Sequence, residues 1–202
     1  MDTAYHFQAV PVPVRCLGTR LQPFTLGHQL LLERFNSPFV TGGPAPFAEL
    51  IFAVAVCSRP YAEAVAWLHS RRAPWQMWLW GKRILLAVSA GHDLIKSHQT
   101  FCRYLEDGSR GPHVNFEPGD TKECGAPLVA MIKWHLQKHG ATETEALNKP
   151  WGQALWDYAI GFTDGNHNEI VSEARFREVE ELSKPLSPEE MEKLVAAHSR
   201  NN

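Results

Sequence analysis

The run 47–57, Phe-Ala-Glu-Leu-Ile-Phe-Ala-Val-Ala-Val-Cys, is apolar at every position but Glu49. A helix with that composition must be enclosed on most sides, so the rest of the chain has to wrap it. The run is well under the roughly 20 residues that a membrane-spanning helix needs, and its enclosure therefore has to come from protein. A second helix is predicted just upstream. In Phe24-Thr25-Leu26-Gly27-His28-Gln29-Leu30-Leu31-Leu32-Glu33-Arg34-Phe35, the Thr25 hydroxyl is placed to accept an orphan backbone N–H, and Leu26, Leu30 and Leu31 share a face. Asn36-Ser37-Pro38 ends that helix, and Gly42-Gly43-Pro44 turns the chain into the apolar run. Residues 18–60 are thus the packing unit around which the fold is built.

At 202 residues the length suits one domain with a real core. With 20 Lys plus Arg against 22 Asp plus Glu, the net charge of -2 offers no broad basic field for nucleic acid or an anionic membrane surface. Composition otherwise fits a soluble globular protein. Cys16, Cys57, Cys102 and Cys124 are widely spaced and form no CxxC pair, which suits reduced thiols in a cytoplasmic protein. Residues 1–9 carry Asp2 and His6 and lack a basic stretch followed by an apolar one, so the pattern excludes ordinary secretory export.

Along the chain, residues 5–23 alternate β-branched residues with Pro11 and Pro13, which indicates an edge strand or extended arm, with a small hairpin over 12–23 turning at Gly18. A helix begins at Pro60 with Tyr61, Ala64, Val65 and Leu68 as its stripe and ends near 71–74. The next segment, 74–88, holds Trp75, Trp78 and Trp80 and is expected to be helical and largely buried, because bulky rings readily fill a small core. A helix over 89–106, interrupted near Gly91, places Leu94, Ile95, His98, Phe101, Cys102 and Leu105 inward. Residues 112–123 form a polar loop, long enough inside a compact domain to be either a functional segment or a plain surface excursion.

A clear helix follows over 128–139, closed by Gly140, with Leu128, Ile132 and His135 or Leu136 on its buried side. Thr142 and Glu145 make a capping box for a short helical turn. Lys149-Pro150 leads into a helix over 151–162 with Ala154, Leu155, Tyr158 and Ala159 inward. After a turn at 164–168, residues 169–202 read as an acidic helical tail whose sparse stripe includes Ile170, Val179 and Leu182. The expected organisation is a helical domain over 1–165 with an N-terminal β element, and a tail over 166–202.

Catalytic motifs are scarce. His135 and His139 fall one helical turn apart, as do His98 and Cys102, and with Cys124 they compose the best candidate for a tetrahedral zinc site. Leu136 stands where a zinc protease helix carries Glu, so that pattern fails, and the competing account of the first pair is one buried and one solvent-facing histidine. There is no G-x-S-x-G elbow and no phosphate-binding Gly-rich loop. Glu143, Glu145, Glu189 and Glu190 sit at helix starts, where negative charge is favoured without any catalytic role. The basic pairs Arg71-Arg72 and Lys82-Arg83 are expected on a solvated face. No catalytic, cofactor-binding or metal residue is assigned.

Several segments resemble the tail assembly chaperones encoded in bacteriophage and prophage tail-gene clusters. They are Leu17-Gly18-Thr19-Arg20-Leu21-Gln22-Pro23-Phe24-Thr25-Leu26-Gly27-His28, then Gly125-Ala126-Pro127, then Glu145-Ala146-Leu147-Asn148-Lys149-Pro150, and Trp156-Asp157-Tyr158. Together they cover 24 of the 202 residues, about an eighth of the chain. Gly165-Asn166-His167-Asn168 departs from the family pattern, in which an acidic residue and glycine close the penultimate helix. The resemblance implies a small helical protein that is not an enzyme, needs no cofactor, and binds a tail tape-measure or tail tube protein during virion assembly.

The expected fold is mainly α: a compact helical domain with a small N-terminal β hairpin or arm and an acidic C-terminal helical tail. The expected function is tail morphogenesis through protein contact, without nucleic acid or membrane, in the host cytoplasm. Its working parts would be the exposed portion of 21–57, the 112–124 loop and the helices of 169–198, since helices with sparse stripes complete their burial on a partner. The rival readings are a metal-dependent enzyme using His98, Cys102, Cys124, His135 and His139, and a structural subunit of a virion or contractile machine.

Overall fold

A computed structural model of the chain describes residues 13–89, 91, 93–115, 126–163, 169–171 and 175. Among the described residues the fold is mainly helical, with a two-stranded antiparallel hairpin near the N-terminus. Strands β1 (Arg15–Cys16) and β2 (Thr19–Arg20) pair Cys16 with Thr19 across a two-residue turn. Leu17 and Gly18 occupy that turn at φ 50 and 74, the left-handed pair that matches the twist of a tight hairpin. Glycine suits this conformation and leucine does not. The Leu17 side chain packs partly buried against the core.

Helix α1 (Leu26–Arg34) and helix α3 (Phe47–Cys57), separated by the short α2 (Pro38–Thr41), form the centre. Thr25 caps α1 as its sequence predicts, and Leu26 and Leu32 are completely buried. Leu32, rather than Leu30, turns out to be the second anchor of the inner face. From Leu50 to Cys57, α3 is buried at every residue except the half-buried Phe52, the enclosure its composition demands. Each aliphatic side chain so enclosed stabilises the fold by about 1.5–3 kcal/mol relative to exposure.

Helix α4 (Tyr61–Leu68) seats Ala64 against Leu31 and Val56, with Tyr61, Val65 and Leu68 around it, which is the stripe expected. Helix α6 (Leu94–Gly108) runs two residues past its expected end. Phe101, Tyr104 and Leu105 are buried there, and Phe101 meets Phe39 edge-on at 4.9 Å between ring centroids. Ile95, expected inward, is exposed, and its place is taken by Ser97, whose carbonyl accepts the Cys16 thiol. Helix α7 (Leu128–Lys138) ends at Gly140 in the left-handed conformation. It buries Val129, Ile132 and Leu136, while Leu128 faces out, so the buried stripe is one position further round than expected.

Helix α8 (Glu143–Asn148) is held by the expected box, in which the Glu145 backbone donates to Thr142 Oγ1 and the Thr142 backbone to the Glu145 carboxylate. Helix α9 (Trp151–Thr163) then crosses back to α1. Leu26 N donates to Lys149 O at 3.0 Å, and Trp151 N donates to Phe24 O at 2.7 Å. Two orphan amides at helix starts, far apart in sequence, are satisfied by this exchange.

Two expectations are corrected at the end of the fold. His113–Asn115, expected within a loop, forms strand β3, and Glu169–Val171, expected in a helical tail, forms strand β4 antiparallel to it. Val114 pairs with Ile170, so the apolar spacing assigned to a helix here belongs in part to a sheet. Three residues are too few for the helical and alternating periods to be told apart. Beyond Asn115, the 112–124 loop lies outside the described residues, as do the expected helices of 169–198 apart from 169–171 and Arg175.

Candidate interaction surface

Helix α5 (Ala73–Ser89) overturns the expectation of a buried tryptophan cluster. Ala73 and Ile84 are buried, Met77, Trp80, Gly81 and Val88 are half-buried beside them, and this seam packs chiefly on α3. Gly81 faces Ile51, whose Cδ1 would lie 3.8 Å from a Cβ placed there. The opposite side carries Trp75 at 60%, Trp78 at 58%, Leu85 at 57% and Leu86 at 70% exposure. At 100° per residue these four fall within one stripe, spaced as on the contact edge of a two-helix pair. Scattered exposed apolar residues are ordinary, whereas a contiguous apolar stripe on a helix marks a surface that another molecule covers.

The charge around the stripe has one sign. Residues 71–89 contain Arg71, Arg72, Lys82 and Arg83 and no carboxylate. All four cations are exposed. Lys82 projects from within the stripe, its Nζ 5.7 Å from the centre of the Trp78 ring, where the ring's negative face holds the ammonium. At its start the helix is tied to α4 by Trp67 Nε1, which donates to Gln76 Oε1 at 2.7 Å. Arg59 covers the Trp67 ring at 4.6 Å and donates to Ala55 O. The outward tryptophans therefore stand on a fixed base. Both basic pairs are exposed, as expected, with Lys82 inside the apolar stripe and Arg83 beside it.

The candidate metal ligands are distributed over separate helices. On α6, Cys102 Sγ is 3.6 Å from His98 Nδ1, and the His98 ring rests against Phe39 at 5.3 Å. Burial first, and the Glu106 carboxylate second, push the Cys102 thiol pKa up. On α7, the rings of His135 and His139 are 4.5 Å apart. His135 is half-buried, edge-on to Tyr158 and pressed onto Gly161, and His139 is exposed. Burial first, and the neighbouring His139 second, lower the His135 pKa. No three His, Cys, Asp or Glu side chains converge among the described residues, and Cys124 lies outside them.

The other thiols are structural. Burial pushes Cys16 up to about 11 and Cys57 up to about 12, so both are neutral at physiological pH. An open cleft of 380 Å³ separates the hairpin from the start of α6. Arg15, Asp93, Lys96 and Thr100 line it, and Asp93 is committed to capping Lys96 N. Among the described residues, no helix is long and apolar enough to cross a membrane.

No protein family, curated protein or solved structure matches this chain at a significant level. The stripe on α5 is the widest run of exposed large apolar side chains on one helix among the described residues. It was not among the working parts expected from the sequence, which were the exposed portion of 21–57, the 112–124 loop and the helices of 169–198. The signal was present in the spacing 75, 78, 82, 85, but a second spacing, 73, 77, 80, 84, 88, competes with it on the same helix.

Proposed function

We propose that this chain is a non-enzymatic assembly protein of the phage tail chaperone type. It works in the cytoplasm of the producing cell by holding a tape-measure or tail tube protein through apolar contact. The observation that carries this reading is the outward stripe of Trp75, Trp78, Leu85 and Leu86 on α5. Exposed tryptophans on a rigid helix supply large contact areas with little loss of side-chain freedom on binding, as the anchors of protein interfaces do. The sequence resemblance to tail assembly chaperones supports the same class. Transient holding also suits an apolar surface that is tolerated in the free protein.

The test is co-expression with the tape-measure and tail tube proteins of the same gene cluster, followed by size-exclusion chromatography and titration of the purified partners. A complex with either protein, weakened at least about tenfold by the double change Trp75→Ser and Trp78→Ser, is expected. Failure to bind either protein, or binding that the double change leaves intact, overturns the reading.

A further inference from the structure

We infer that the outer seam of α5 receives an amphipathic helix of the partner protein that sets a carboxylate against Lys82 between flanking apolar side chains. This rests on the proposed function and specifies the chemistry of its binding partner. Trp75, Trp78, Lys82, Leu85 and Ser89 follow the alternating three- and four-residue steps of a heptad seam, with Leu86 beside it. The seam is about 21 Å long at 1.5 Å per residue, and Lys82 stands at its midpoint.

That midpoint decides between occupants. In an antiparallel pair of two α5 helices centred on the seam, Lys82 faces Lys82 of the second copy. A parallel pair in register brings the same two residues together. Either arrangement desolvates like charges against each other, a several-fold to much larger penalty that specific interfaces use to reject wrong partners. An anionic lipid surface fits less well too. Helices that lie on membranes keep their cations at the edges of a wide apolar face, whereas Lys82 sits between Trp78 and Leu85 within the stripe. Arg71, Arg72 and Arg83 extend the positive field along the helix with no acid of its own to offset it. Among the described residues no carboxylate forms an ion pair with Lys82. A glutamate or aspartate on a facing helix would gain the ammonium as a partner at the place where the apolar contacts exclude water.

Two synthetic helical peptides of about three heptads test this, both with leucine along the contact edge and differing only at the central position, one Glu and one Lys. Binding to the full chain is read from quenching and blue shift of tryptophan fluorescence. The Glu peptide is expected to bind at least about tenfold more tightly than the Lys peptide, and Lys82→Glu is expected to reverse the order. Equal binding of both peptides, binding of neither, or an order that Lys82→Glu leaves unchanged overturns the inference. So does dimerisation in sedimentation that Trp75→Ser with Trp78→Ser abolishes, or a blue shift on phosphatidylserine vesicles that exceeds the one on the Glu peptide. Loss of charge preference alongside an intact, tryptophan-dependent complex with a tail protein removes this inference alone. Absence of any tail-protein complex removes the functional reading instead.

Discussion

The Nε2 of His28, on α1, lies 2.8 Å from the carbonyl oxygen of Arg59, at the end of α3. A carbonyl only accepts, so Nε2 carries the proton and Nδ1 is left to accept the Thr25 backbone N–H at 3.2 Å. In the same motif the His28 backbone N–H donates to Thr25 Oγ1 at 3.3 Å. His28 thus fills the place that Glu or Gln takes in a capping box and, from that place, ties two core helices together. It has no exposed surface.

Replacing this ring should be costly. His28→Ala leaves the Arg59 carbonyl and the Thr25 amide without partners and opens a cavity, a loss of about 2–4 kcal/mol. His28→Gln retains a side chain able to accept from the cap and should lose less. Chemical denaturation of the two variants beside the parent checks the order.

Stability should depend on pH through the same residue. Burial lowers the His28 pKa below its ordinary 6.5, so just below that pH the unfolded chain binds a proton that the folded chain refuses. The stabilisation is therefore full above about pH 6.5 and is lost as pH falls through 6.5 toward the folded value. His135 shifts in the same direction. Melting temperatures measured between about pH 5 and 8 should fall on the acid side, and His28→Gln should flatten the slope.

Gly27 admits no side chain. A Cβ there would run into the Tyr61 ring and lie 2.8 Å from the backbone oxygen of Leu147. The ring can shift and the backbone cannot readily do so. Gly27→Ala should destabilise by about 1–3 kcal/mol despite alanine's better helix propensity, and thermal melts will show it.

Two neighbours on α6 should behave oppositely. Phe101→Ala empties a fully buried site ringed by Phe39 and Tyr104 and should cost about 3–5 kcal/mol. Ile95→Ala, at an exposed position, should stay within about 0.5 kcal/mol. Urea unfolding of both variants distinguishes this face from the one that places Ile95 inward.

Changes on the outer face of α5 should separate folding from binding. Trp75→Ser and Trp78→Ser together should change unfolding free energy by about 0.5 kcal/mol or less each, since neither ring is in the core. Circular dichroism and denaturation curves check this alongside the binding measurements.

Much of the fold is legible locally. Thr25 and the Thr142 with Glu145 box could be placed because a cap acts over three residues. The extent of α3 followed from composition alone, because a helix apolar all round has no outward face to choose. Which face points inward on α5, α6 and α7 was a harder matter. Trp75 and Trp78 belong to a second apolar stripe on the first, while Ile95 on the second and Leu128 on the third lie near the edge of an apolar arc, and their neighbours decide their burial.

The sequence by itself determined the helical class, most helix positions, the tight turn after Cys16 and the enclosure of α3, all consequences of contacts within a few residues. Only the tertiary structure decided that α5 lays Ala73, Trp80 and Ile84 on α3 and leaves its tryptophan stripe outside. Tertiary contact also joined Val114 to Ile170 and made His28 a bridge to Arg59. The physical reason is that hydrophobicity has no direction. A helix with two apolar stripes meets the demand for burial with either one, and the shape of the surface it packs against makes the choice.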